Sequence, residues 1–160
     1  MDEDLVDCPP HIDFALSTEV LYLIGHNIDY DYKVIGEPPV KRICTLALSR
    51  YLWPELDAHR QSAMLYHLER ETARDRLKGA HSASCDVENC LVILGHIVVK
   101  LGGVETWEQL WEISEKARIP TKLHFGKHRG ELISNIPKSY KQWLLGQPDV
   151  DVYLRQALEK

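Results

Sequence analysis

Two short stretches hold the residues best suited to chemistry, His26-Asn27-Ile28-Asp29-Tyr30-Asp31 and His81-Ser82-Ala83-Ser84-Cys85-Asp86. Each opens on a histidine and closes on an aspartate, where an apolar strand or a loop hands over to a helix. Carboxylate oxygens are the ligands Mg²⁺ prefers, and phosphodiester hydrolysis by two ions about 4 Å apart needs several of them. A neutral histidine near such ions can take the proton of the attacking water, because its pKa lies near the working pH. The same residues have a plainer use. Acids in the first turn of a helix are favoured by the macrodipole, and His26 and His81 can be ordinary turn histidines. Taken singly, Asp31 (with Asp29) and Asp86 (behind Ser84 as an N-cap) satisfy that reading. Their conjunction points to metal-dependent hydrolysis: a buried strand runs into His-Asn and then an aspartate, and fifty residues on a histidine precedes an aspartate at the head of a long helix.

The elements that must position these residues follow from periodicity. Val20 to Ile24 is a continuous apolar run, the pattern of a buried strand, closed by Gly25. Asp29 to Ile35 reads as one or two helical turns, with Asp29 as N-cap and Gly36 as C-cap. Val40 to Thr45 forms a second short strand, and Leu46 to Leu52 a helix stopped at Trp53-Pro54. Ala58 to Glu69 is helical, and Arg70 to Lys78 is a charged stretch. From Asp86 the residues Val87, Leu91, Leu94, Val98 and Leu101 recur at helical spacing, widened by Cys90, Ile93 and Ile97. Gly102-Gly103 ends that helix, and Thr106 to Gln109 is a capping box for the next, which runs to about Ala117. Leu123 to Gly130 reads as a tight hairpin with glycines at its turns. Pro137 to Leu145 and Val150 to Leu158 are two short helices. Met1 to Pro10 is an acidic, irregular lead-in, and His11 to Glu19 a short helix. Trp107 and Trp111, four residues apart, read as packing residues.

Beyond these elements lies a resemblance. The two acidic stretches, together with Ile43-Cys44-Thr45 through Leu52-Trp53-Pro54 and the helix at Ser62 to Tyr66, resemble exonuclease X-like members of the DEDD-type (DnaQ-like) 3′–5′ exonucleases. They match the last two motifs of the DEDDh branch, which carries a histidine five residues before its final aspartate. Phe125-Gly126-Lys127-His128-Arg129-Gly130, followed by Tyr140 and Trp143-Leu144, resembles a small C-terminal module that some such enzymes carry. The resemblance implies a ribonuclease H-like α/β fold and Mg²⁺- or Mn²⁺-dependent hydrolysis from single-stranded 3′ ends, of DNA more than RNA. It makes Asp31 a metal-ligand or substrate-side carboxylate, Asp86 a metal ligand and His81 the general base, with His26 and Asn27 lining the site. The family's first motif, Asp-x-Glu on an opening strand, is missing. Asp2, Glu3, Asp4 and Asp7 lie in a polar run with no strand to fix them. The expectation is an N-terminally truncated fold that keeps about half its carboxylates and exposes a strand edge. A homo-oligomer or a partner chain then supplies the missing strands. The alternatives are one part of a split or shortened exonuclease, or a catalytically inactive, nuclease-derived protein that binds nucleic acid or protein.

Composition bounds these readings. The net charge of −5 offers no bulk attraction to nucleic acid. The balance is uneven: residues 122–160 carry seven Lys/Arg against four Asp/Glu, and the first 121 carry twelve against twenty. The expected division is a partial exonuclease-like domain over residues 1–119 and a small basic module over 120–160. On that module, Lys127, His128 and Arg129 suit phosphate contact on a single strand; a solvated turn tip is the plainer alternative. Apolar runs never approach the roughly 18 residues of a membrane span. Cys8, Cys44, Cys85 and Cys90 are too scattered for a disulfide scaffold, and Cys85, Cys90 and His81 fit no common zinc spacing. The expected setting is the reducing cytoplasm.

Overall fold

The computed structural model describes residues 16–79 and 82–160. The acidic lead-in, most of the helix expected at His11 to Glu19, Cys8 and His81 lie outside them. At the described end of that helix, residues 18–19 form a turn.

A small parallel sheet and eight helices make up the described architecture, a mixed α/β arrangement. Strand β1 (Tyr22–Gly25) is followed by helix α1 (Ile28–Val34) and strand β2 (Lys41–Cys44). β1 and β2 pair in parallel, with Tyr22 opposite Lys41 and Gly25 opposite Cys44. Parallel partners cannot be joined by a tight turn, so the chain must cross over, and α1 is the crossover. The turn out of β1 depends on two residues. A Cβ on Gly25 would come within 2.7 Å of the Ile28 Cδ1 and 3.2 Å of its Cβ, so glycine lets α1 fold back closely without moving that side chain. Asn27 then takes a left-handed conformation (φ 71°), which asparagine tolerates better than most residues.

The strand expected to be buried is only half-buried, and Leu21 beside it is 65% exposed. The physical reason is the width of the sheet: among the described residues β1 pairs with β2 alone, so its outer edge has no neighbour.

Helix α6 (Trp107–Arg118) packs on β2 and on α2 (Thr45–Leu52), α2 packs on α5 (Ala83–Lys100), and α5 packs on α3 (Gln61–Leu68). Their core holds Ile43, Leu48, Met64, Leu65, Ile93 and Ile97, all fully buried. The charged stretch after α3 contains a short helix, α4 (Ala73–Arg76), and a 3₁₀ turn. Helix α5 has the expected period but a different phase. Val87 and Leu91 are 61% and 57% exposed, whereas Asn89, Cys90, Ile93, Leu94 and Ile97 are buried. The sequence offered two adjacent apolar stripes, and α2 and α3 cover the one through Cys90, Ile93 and Ile97. Ser82, not Ser84, caps this helix, accepting from the Cys85 N–H. The capping box before α6 forms: the Thr106 hydroxyl accepts from the Gln109 N–H at 3.1 Å, and the Gln109 side chain accepts from the Glu105 N–H at 3.0 Å. Trp111 packs against the core and receives Lys41 over its ring, while Trp107 stays exposed.

A second core gathers Leu123, Ile133, Ile136, Leu144, Leu154 and Leu158, with Ile119 against it. It is built by α7 (Lys138–Leu145), α8 (Val152–Leu158) and the loop before them. The expected hairpin at Leu123 to Gly130 is not a ladder. One antiparallel bridge, Lys122 to Leu132, closes a loop of consecutive turns. Gly126 and Gly130 do adopt positive φ. Tyr140 packs so tightly on Gly126 that a Cβ there would lie 2.7 Å from its hydroxyl.

Candidate functional site

The end of β1 is tied to the first turns of α5 through His26. Its Nε2 lies 2.8 Å from the His59 carbonyl, so Nε2 carries the proton and donates. Nδ1 is left to accept from the Thr45 hydroxyl at 3.0 Å. Burial lowers the pKa of His26; the His59 carbonyl opposes that, and nearby Arg50 adds to it. His26 is thus a neutral ring with both nitrogens engaged. Thr45 in turn sits 3.6 Å from the Cys90 sulfur, and Cys90 is one helical turn beyond Asp86 on the same face of α5. From the other side, the Gln61 side-chain amide donates to the Asp86 carbonyl at 2.8 Å. His26, the α2–α3 loop and the head of α5 therefore form one hydrogen-bonded corner. The half-buried Asp86 carboxylate has no hydrogen-bond partner among the described residues.

Helix α1 carries Asp29 and Asp31 two residues apart, about 200° around the axis. Asp29 faces inward. It accepts from Arg42 Nη1 at 2.5 Å and from Arg118 Nη1 at 2.6 and 2.8 Å. It is not the N-cap; Asn27 holds that place without a side-chain bond. Asp31 faces away, exposed and without an ion pair. Arg118 is buried, stacks against Tyr153 of α8 at 5.3 Å and lies 3.2 Å from Glu115. The Tyr153 hydroxyl donates to Glu115 at 2.8 Å, and burial with that carboxylate pushes the phenol up to about 12. The orientation of α1, and with it the direction of Asp31, is therefore set by a chain of charges reaching α8.

The structure ties His26 to the corner that carries Asp86, and no bond joins Asp31 to either. Among the described residues, no three His, Cys, Asp or Glu side chains converge closely enough to hold a metal ion. Asp31 and Asp86 alone fall short of a two-ion centre, so the described donor set does not by itself fit Mg²⁺ or Mn²⁺. The Cys85 thiol faces the Arg76 carbonyl at 3.1 Å, and Cys90 is buried against Thr45.

The Lys127-His128-Arg129 triplet is divided. His128 is held by Glu131 at 3.1 Å and by the edge of Tyr140, with ring centroids 4.6 Å apart. Lys127 is exposed at the turn. Arg129 lines a cleft of about 590 Å³ between the segment from Ala47 to Arg60 and residues 117–130. Arg50, Arg60 and Lys122 also line it, and none of these four cations has a carboxylate partner among the described residues. His124 sits among them, its pKa lowered by burial and then by Arg50, His59, Arg129 and Lys122.

This chain resembles an exodeoxyribonuclease. It is 26% identical over 148 residues to Exodeoxyribonuclease 10 of Escherichia coli (strain K12) and, equally, to Exodeoxyribonuclease 10 of Escherichia coli O6:H1. The likeness covers 86% of this chain and 65% of each relative's length. No family model matches, and no solved structure matches. Distant homology of this extent supports an exonuclease ancestry, and the mixed α/β architecture with its parallel strands is compatible with it.

The sequence pattern singled out Arg129 but not Arg50, Arg60 or Lys122. Counting charge along the chain assigns the first 121 residues, Arg50 and Arg60 among them, to an acidic half. The usable signal was the end of α2, where Arg50 and Tyr51 follow buried Leu48 and Ser49 and must face outward.

Proposed function

We propose that the chain is a 3′–5′ exonuclease-like protein that hydrolyses phosphodiesters at nucleic-acid 3′ ends, DNA rather than RNA. The observation that carries this reading is the likeness to an exodeoxyribonuclease over 86% of the chain. The joined corner of His26, the α2–α3 loop and Asp86 supports it. In this reading Asp86 and Asp31 are offered to a divalent ion, His81 is the general base, and His26 and Asn27 shape the floor of the site. The fold in this reading is ribonuclease H-like and exonuclease-related over residues 1–119, followed by a basic module over 120–160. The carboxylates still needed come from beyond the described residues, from a second copy of the chain or from a partner.

The test is release of nucleotides from a 3′-labelled single-stranded DNA in Mg²⁺ or Mn²⁺, with Asp86→Ala beside the parent chain. Loss of an essential metal-binding carboxylate is expected to lower the rate at least a hundredfold, equivalent to about 2.7 kcal/mol in the barrier. A variant as active as the parent would remove Asp86 from the mechanism.

One observation favours a second reading, a nuclease-derived protein that binds nucleic acid without cutting it: the described residues assemble no three-ligand metal site. Strand binding with no nucleotide release, in either ion, is its expected signature.

A further inference from the structure

The cleft beside Arg129 gathers several unpaired cations around one space. Outside it, Arg42 pairs with Asp29 and Arg76 with Glu69, whereas Arg70, Arg74 and Arg155 have no carboxylate partner among the described residues but line no cleft with other cations. Here Arg50, Arg60, Lys122 and Arg129 face a common space, and the acids on its wall, Glu55 and Asp57, pair with none of them. Arg118 forms part of the wall as well. It is 8% exposed, and its Nε and Nη2 lack a hydrogen-bond partner although Nε lies 3.2 Å from Glu115. A buried guanidinium N–H without an acceptor is costly. The volume of about 590 Å³ falls within the roughly 300–1,000 Å³ of ligand-holding clefts. Tyr51 also lines the space and is 59% exposed, so its ring face is available. Convergent cations that follow a backbone, beside an aromatic ring for a base, are the two parts from which single-strand grooves are made.

We propose that this cleft binds the phosphates of a nucleic-acid single strand, with Arg50 and Arg129 gripping it from opposite walls and Tyr51 stacking on a base. The choice of a nucleic acid over other polyanions rests on the nuclease reading and on Tyr51. The cleft adjoins the corner that carries Asp86 through the α2–α3 loop: its walls are α2, that loop, the end of α6 and the 122–130 loop. Its role is to hold the strand away from the scissile end.

The experiment is fluorescence anisotropy of a 5′-labelled oligothymidylate titrated with the full chain in EDTA, so that binding is read without hydrolysis. Arg50→Gln/Arg129→Gln is compared with Lys100→Gln/Lys116→Gln, which removes the same charge outside the cleft. The cleft variant is expected to bind at least tenfold more weakly. Its dependence of log K on log salt should be shallower by about 1.4, from about 0.7 for each lost single-strand phosphate contact. Tyr51→Ala, at an exposed position that the fold does not need, is expected to weaken binding about fivefold or more. Circular dichroism confirms that each variant is folded. The proposal is overturned if the parent chain fails to bind at low salt, or if the two double variants weaken equally. It is also overturned if inorganic polyphosphate competes as well as the oligonucleotide at equal phosphate concentration. A chain that releases nucleotides while its cleft variants bind normally keeps the nuclease reading and loses the cleft. One that binds through the cleft and releases nothing keeps the cleft and loses the nuclease.

Discussion

Two groups of arginines sit close to each other in this chain and are used in opposite ways. Arg42 and Arg118 converge on Asp29, and Arg118 is further enclosed by Glu115 and Tyr153. Arg50 and Arg129 face the cleft with no acid of their own. A buried charge must be matched inside the fold, because an unmatched one is expensive to keep out of water. An exposed charge carries no such obligation and remains free to meet a ligand. The contrast separates positive charge that is matched inside the fold from positive charge left free to meet a ligand.

Substitutions can sharpen or break that comparison. The largest effect is expected from Asp29→Ala, which leaves Arg118 buried without its main counter-ion. We expect a loss of about 2–3 kcal/mol by urea denaturation, below the roughly 3–5 kcal/mol of a fully buried pair because Asp29 is partly solvated. Adding Arg118→Met should restore part of it, since an apolar side chain needs no partner; a double variant weaker than the single would break the argument.

Tyr153→Phe comes next. It removes one hydrogen bond to Glu115 while keeping the ring against Arg118, with an expected cost of about 1 kcal/mol.

A pH effect on stability follows from His26, whose folded pKa is held below the ordinary 6.5. Above 6.5 neither the folded nor the unfolded chain is protonated there, and stability is level. As pH falls through 6.5 the unfolded chain takes up a proton that the folded chain refuses, so stability declines until the folded pKa is passed. His124 acts in the same direction. Glu69 and Glu108, both lowered from 4.5, lose their contribution only at lower pH. His26→Gln should therefore flatten the decline just below 6.5, as read from melting temperatures across that range. An unchanged slope would mean that the ring is not held neutral.

The smallest effect belongs to Arg50→Gln/Arg129→Gln, for which stability should stay within about 0.5 kcal/mol of the parent. A larger loss would show that these cations do have a structural partner.

Much of the helical framework was legible because it obeys local rules. The Thr106–Gln109 box, the Gly102-Gly103 stop and the period of α5 each depend on neighbours in sequence. The phase of α5 was not legible. Val87–Leu91 and Cys90–Ile93–Ile97 are both apolar stripes, and only the arrival of α2 and α3 decides between them. The hairpin was over-read for a similar reason: glycines fix turns, but a ladder needs cross-strand partners, and here a single bridge forms. At the candidate site, His26 and Asp86 stood out as motif residues, and the structure joins them in one hydrogen-bonded corner. The match of Asp29 to Arg118, 89 residues away, was not. Nor was the cleft, whose cations come from two segments of opposite net charge.

Arg118 and Ile119 are consecutive, yet they serve different neighbours: the arginine answers Asp29 and Tyr153, and the isoleucine packs into the core of α7 and α8. There is no slack between them to act as a hinge. Residues 120–160 spliced onto another protein would arrive without their footing, and the donor would keep an arginine stripped of its aromatic neighbour and a Glu115 stripped of its phenol. The smallest transplantable piece begins with α6, and a recipient would need an acid where this chain has Asp29.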